Sequence, residues 1–218
     1  MSEADAASAV KAAQGLDCDI IEVRVDHMRD TGNLGLLKDI KQKLIVTCMP
    51  EWEGGLFKGM EEDRIAILRG ALEYADYVSV ELKMEKRFQD ALIMEAGRKG
   101  VKVIVCQHDF EKTPPAQEII ELLTKMESVG ADIAKVAFQA KNRLDVVNVL
   151  GAQVAADLKI PVIALSMGPL GKASRVAGPM LGGYLMFAAP ANGKSTASGQ
   201  YTLDEMKQIR RLVWDEDS

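Results

Sequence analysis

Residues 19–26 read DIIEVRVD, and this stretch decides the fold class. Ile20, Ile21, Val23 and Val25 mark a strand, because β-branched side chains suit an extended, half-buried backbone. Glu22, Arg24 and Asp26 alternate with the valines, so the three charged residues share one face. On an ordinary surface strand such a face is simply solvated. In the wall of a (β/α) barrel the outer face meets helices, so Val23 and Val25 point out and the charged face lines the interior. Charge there is costly unless it is paired or used. Glu22 and Arg24 can neutralise each other and offer hydrogen bonds to a polyhydroxylated ligand.

The run DIAKVAFQ (132–139) has the same character, with a single lysine in an apolar strand. Further strand candidates are KLIVTCM (43–49), YVSVEL (77–82), VKVIVCQHD (101–109), PVIALSMG (161–168) and GYLMFAA (183–189). Segments of helical period lie between them, at 61–75, 115–129 and 141–158, after an alanine-rich opening helix. Gly100 and Gly130 stand just past helix ends, where glycine takes positive φ. Regular β–α alternation predicts a parallel sheet with right-handed crossovers. A doubly wound sheet and a closed barrel both satisfy it. No G-x-G-x-x-G follows the first strand, as a dinucleotide-binding sheet requires. The charged strand interiors favour the barrel. The expectation is an α/β chain, a (β/α)8 TIM barrel with seven visible strands and the first one lacking. An open seam would leave unpaired strand edges.

The 218 residues suit one such domain, so 1–218 is expected to be a single catalytic barrel. A net charge of −5 gives no basic footprint for nucleic acid. No apolar run is long enough to span a membrane, and the first residues lack a signal-peptide core, so a cytoplasmic protein is expected. Cys18, Cys48 and Cys106 are odd in number and lack metal-type spacing, which reads as buried reduced thiols.

Four more stretches carry chemistry. In TCMPEWEGG (47–55) two glycines follow a strand end, as in a loop whose backbone nears a ligand, and Glu53 is a candidate inner carboxylate. His108 ends a strand, where an imidazole is placed for acid–base work. Lys135 sits inside an apolar strand, where lysine is rare. Desolvation and nearby cations lower a lysine pKa from about 10.4 to roughly 7–8, which yields a nucleophilic amine. In SMGPLGKASR (166–175), glycines, the amides of a short helix and Arg175 make an anion site suited to a carboxylate or phosphate.

These stretches stand at the ends of different strands. EVRVD, T-x-M-x-x-x-EGG, HDF followed by Thr113-Pro114, ADIAKVA, SMGPLGKASR and ASGQ (197–200) together resemble the type I 3-dehydroquinate dehydratase family, over nearly the whole chain. The resemblance implies that Lys135 forms an imine with the C3 ketone of 3-dehydroquinate. It implies His108 as the acid–base residue and Glu53 as the carboxylate that orients it. Arg175 would bind the substrate carboxylate, and Glu22 and Arg24 the substrate hydroxyls. Gln200 would lie on a loop that closes over the site, with Thr196 where the family usually has serine. A homodimer with no metal or organic cofactor, in the shikimate pathway, is implied as well.

Two substitutions depart from the family pattern. Met49 stands where the family has an arginine that contacts substrate, a loss of about 1.5–3 kcal/mol for one charge-assisted bond. Lys58 and Arg64 are the candidate replacements. Ser198 stands where the closing loop usually has proline, which predicts a looser loop. Two other readings compete: a class I aldolase, which shares the strand lysine, and a decayed relative without activity.

Overall fold

A computed structural model of the chain describes residues 1–190 and 195–213. The chain divides into two compact units, Met1–Gln107 with Val129–Asp132, and His108–Ser128 with Ile133–Ser218.

In the first unit β1 (Ile20–Arg24), β2 (Lys43–Thr47), β3 (Tyr77–Glu81) and β4 (Lys102–Asp109) pair in chain order, all parallel. The last two residues of β4, His108 and Asp109, open the second unit. Arg24 pairs with Thr47, Val46 with Val78 and Glu81 with Cys106, so the strand ends that carry polar residues come level. Val23, Val46, Val78 and Val80 are fully buried. Each such side chain contributes about 1.5–3 kcal/mol of burial. The helices of this unit are α1 (Ala6–Ala13), α2 (Glu61–Ala71) and α3 (Lys86–Lys99). Asp5 caps α1 by accepting from the Ser8 amide, and α2 buries Ile65 and Leu68 as its spacing predicts. Gly100 closes α3 at φ 72°, in the left-handed region.

In the second unit β5 (Ile133–Gln139) pairs with β6 (Val162–Met167), again parallel, with Lys135 beside Ile163. Its helices are α4 (Ala116–Ser128), α5 (Arg143–Ala155), α6 (Lys172–Met180) and α7 (Leu203–Val213). Asn142 and Asp145 form a capping box that starts α5.

Four expectations change. The run 183–189 is not a strand; among its residues only Ala189 forms an isolated bridge, to Thr202. It contains no β-branched residue, and Gly182 turns the chain at φ 86° while the Gly183 amide caps α6 at the Gly178 carbonyl, 2.9 Å away. Six strands therefore stand among the described residues, where seven were expected. Second, the edge of β1 is partly covered: the Met1 ammonium donates to the Glu22 carbonyl, and the Arg24 amide donates to the Met1 carbonyl at 2.9 Å. Third, α3 and α7 have no counterpart in the sequence reading. They bury only Gln89, Leu92 and Ala96 in one and Met206 in the other, too few apolar positions to set a period. Fourth, Val25 and Asp26 leave the strand for a 3-10 turn, Val25–His27.

Candidate active site

The expected site residues divide between the units: Glu22, Arg24, Met49 and Glu53 in the first, and His108, Lys135, Arg175, Thr196 and Gln200 in the second.

In the first unit Arg24 is buried and Glu22 half-buried, and the Arg24 fork finds a partner besides the expected Glu22. The Arg24 fork is taken by Asp26, with Nε donating to Oδ1 at 2.8 Å and Nη2 to Oδ2 at 2.6 Å. Asp26 lies in the 3-10 turn Val25–His27 that follows the strand. Burial opposes ionisation of the Asp26 carboxyl, but the Arg24 guanidinium together with the Leu56 amide outweighs it and holds the carboxyl below the usual carboxylate range. Glu22 is bound laterally: Thr47 Oγ1 donates to its Oε1 at 2.9 Å, and Ser79 Oγ lies 2.9 Å from Thr47 Oγ1.

Met49 is buried, and its sulfur lies 3.8 Å from Arg24 Nη2. Neither candidate replacement for the family arginine is available. Lys58 is 75% exposed and pairs with Glu51 at 3.3 Å. Arg64 is fully buried and committed to Glu61, Glu81 and the Cys48 carbonyl. Glu53 ends a 3-10 turn, Glu51–Glu53, and is 3% exposed. The two glycines after it serve the chain itself. Gly54 is left-handed at φ 86°, and a side chain at Gly55 would meet the Met49 carbonyl oxygen at 2.0 Å. The Cys48 thiol is pushed up to about 12, chiefly by burial, which makes it inert.

In the second unit Lys135 is 7% exposed on β5, and its Nζ lies 4.2 Å from the centre of the Phe187 ring. Arg175, on the first turns of α6, is 1% exposed and donates from Nη1 to the Phe187 carbonyl at 3.5 Å. Amine and guanidinium thus meet at one residue, which the strand reading of 183–189 concealed. Burial lowers Arg175 to about 10, so it stays cationic at neutral pH. Its Nε is buried with no acceptor, and the Ser166 hydroxyl is likewise buried without a partner. Ser166 and Arg175 are tied together, since the Ser166 amide donates to the Ser174 hydroxyl at 2.9 Å. An acceptor brought by an anion would satisfy donors of this kind.

His108 is half-buried and stacks on Phe110, with ring centres 6.2 Å apart. Gln200 turns onto its own loop: its Oε1 accepts from Ser195 Oγ at 2.9 Å and from the Thr196 amide at 3.1 Å. That loop is seated on the SMG turn. The Gly168 amide donates to the Ser198 carbonyl at 3.2 Å, and a side chain at Gly199 would meet the Gly168 carbonyl at 2.3 Å. Among the described residues no group of three His, Cys, Asp or Glu side chains is arranged for a metal ion, and no helix is long and apolar enough to cross a membrane.

Comparison with known proteins places the chain in a family. The model of the family described as type I 3-dehydroquinase matches residues 2–216. The 3-dehydroquinate dehydratase of Methanocaldococcus jannaschii is 38% identical over 201 residues, covering 89% of this chain and 87% of the relative. The type I 3-dehydroquinate dehydratase of Clostridium difficile, solved with covalently modified comenic acid, superposes with a TM-score of 0.86 at 28% identity, covering 97% of this chain and 89% of that one. The 3-dehydroquinate dehydratase of Geobacillus kaustophilus superposes with a TM-score of 0.89 at 25% identity, over 100% of this chain and 90% of that one. The α/β barrel class expected from the sequence is the fold these enzymes share with the chain.

Proposed function

The chain belongs to the type I 3-dehydroquinase family, and on that premise we propose that it is a hydro-lyase converting 3-dehydroquinate to 3-dehydroshikimate through an imine on Lys135. The observation that carries the reading is the buried Lys135 amine over Phe187, with the Arg175 guanidinium on the same residue and one of its donors unsatisfied.

Lys135 Nζ attacks the C3 carbonyl, and that oxygen departs as water to leave a protonated imine. The imine withdraws electrons from C2, so the C2 proton becomes acidic and His108 takes it. The C2–H electron pair forms the C1–C2 double bond, and the C1 hydroxyl departs as water with the proton that His108 returns, in a syn elimination. Hydrolysis of the imine restores the C3 ketone and the free amine. Covalent capture replaces one hard elimination by several easier steps. Arg175 holds the substrate carboxylate, and Glu53 orients His108. Glu22 and Arg24 meet the ring hydroxyls beside Met49, and Thr196 and Gln200 belong to the closing loop. The setting we infer from the family is a cytoplasmic homodimer in the shikimate pathway, feeding chorismate and aromatic amino acid biosynthesis.

The test is borohydride reduction in the presence of 3-dehydroquinate, followed by intact-mass and peptide mass spectrometry. A reduced adduct on Lys135 is expected. A folded protein that turns over 3-dehydroquinate without any adduct would sink the imine mechanism.

A further inference from the structure

Arg64 of α2 is fully buried and makes no contact with the solvent. Its Nη1 donates to the Cys48 carbonyl at 2.9 Å and to Glu81 Oε2 at 2.6 Å. Nε and Nη2 grip both oxygens of Glu61, at 2.9 and 2.5 Å. The guanidinium also lies 5.8 Å from the centre of the Trp52 ring. One side chain therefore joins the segment just past β2, the end of β3, the start of α2 and the Glu51–Glu53 turn.

Stability alone does not account for this arrangement. A buried ion pair is no better, and often worse, than apolar side chains of the same volume. Here the pair is also incomplete, because Glu81 Oε1 is buried with no hydrogen-bond partner. Its position is informative. Cys48 precedes Met49, and from there the chain folds back through Pro50 into the turn that carries Glu53. Glu81 also lies within electrostatic range of Glu53.

We propose that Arg64 and Glu81 are a positioning pair for Glu53: they fix the Cys48 carbonyl, and with it the root of the turn from which Glu53 acts in catalysis. The inference rests on the role given to Glu53 above. Neither Arg64 nor Glu81 touches the substrate in this account.

The pair is tested by separating stability from rate. Arg64→Met leaves Glu81 buried without its cation, and Glu81→Met leaves Arg64 paired with Glu61; both are expected to lower Tm. The double variant R64M/E81M removes both fully buried charges, leaving Glu61 with its side chain part-exposed, and is expected to regain Tm. If the pair acts by positioning, kcat of the double variant stays down about tenfold or more while KM stays within about twofold. The loss disappears in a Glu53→Gln background, because residues acting as one unit are not additive. A kcat that recovers together with Tm, or that is additive with E53Q, overturns the inference and leaves the pair a structural one. Should the double variant not fold, Arg64→Lys serves instead: lysine keeps the charge but cannot span Cys48, Glu61 and Glu81 together. A lower kcat at unchanged KM, measured well below the variant's Tm, is then expected, and an unchanged kcat overturns the inference. Wild-type turnover of 3-dehydroquinate is read first. Its absence overturns the proposed reaction and this inference with it, whereas turnover in a variant at the wild-type rate overturns this inference alone.

Discussion

Arg24 and Asp26, two residues apart, form a buried two-point fork, Nε to Oδ1 at 2.8 Å and Nη2 to Oδ2 at 2.6 Å. The same Asp26 accepts from the Leu56 amide at 3.1 Å, so it ties the end of β1 to the far side of the loop that carries Glu53. Asp26→Ala would strand the Arg24 charge and is expected to cost about 3–5 kcal/mol of stability, read by denaturant unfolding. Because the folded state holds this carboxyl below its ordinary pKa, its contribution is present above the unfolded value of 3.8 and is lost as pH falls through the folded one. Wild type is therefore expected to lose more stability than Asp26→Asn on acidification below about pH 4. Parallel acid-melting curves for the two proteins would refute this.

Glu81 behaves in the opposite sense. Burial pushes its carboxyl from 4.5 up to about 7, against the pull of Arg64. The folded state binds this proton more tightly than the unfolded one, so stability falls as pH rises from 4.5 to about 7. Glu81→Gln carries no such proton. Its Tm, set against that of wild type, is expected to improve steadily from pH 5 to pH 7. A pH-independent difference would place the Glu81 carboxyl in its ordinary range.

Arg175 is buried with an unsatisfied Nε. Arg175→Met removes an unpaired buried cation, so Tm is expected to rise while substrate binding weakens. Each charge-assisted bond lost is worth about 1.5–3 kcal/mol, so KM should increase at least about tenfold. A variant with unchanged KM would move the carboxylate site elsewhere.

His108→Ala is expected to reduce kcat by about 10²–10⁴, the usual range for a general acid–base, while borohydride still traps an adduct on Lys135. Lys135→Ala should abolish both. An His108→Ala enzyme with full turnover would remove His108 from the mechanism.

Met49→Arg is expected to lower KM, since neither Lys58 nor Arg64 fills the place of the family arginine. It should also lower Tm, because a second guanidinium would sit against Arg24 and compete for Asp26. Saturation kinetics and a thermal melt read the two effects separately, and an unchanged KM would show that position 49 does not meet the substrate.

The sequence by itself determined the β–α order, the parallel sheet and the family resemblance. These are written in local signals: strand periods of two in EVRVD, a lysine inside ADIAKVAF, and glycines where φ is positive, as at Gly100 and Gly130. Such signals depend on a residue and its near neighbours, and a linear reading captures them. Only the tertiary structure decided who pairs with whom. The Arg24 fork closed on Asp26, where a 3-10 turn ends the strand two residues early. Arg64 proved to be an internal tie under the Glu53 turn, and no substitute for the arginine that Met49 displaced. Phe187, in a stretch read as strand, became the residue on which Lys135 and Arg175 meet. The physical reason is common to the three. A buried charge takes whichever partner the folded chain brings within hydrogen-bond reach, and that distance is set by backbone turns and packing many residues away, not by spacing along the sequence.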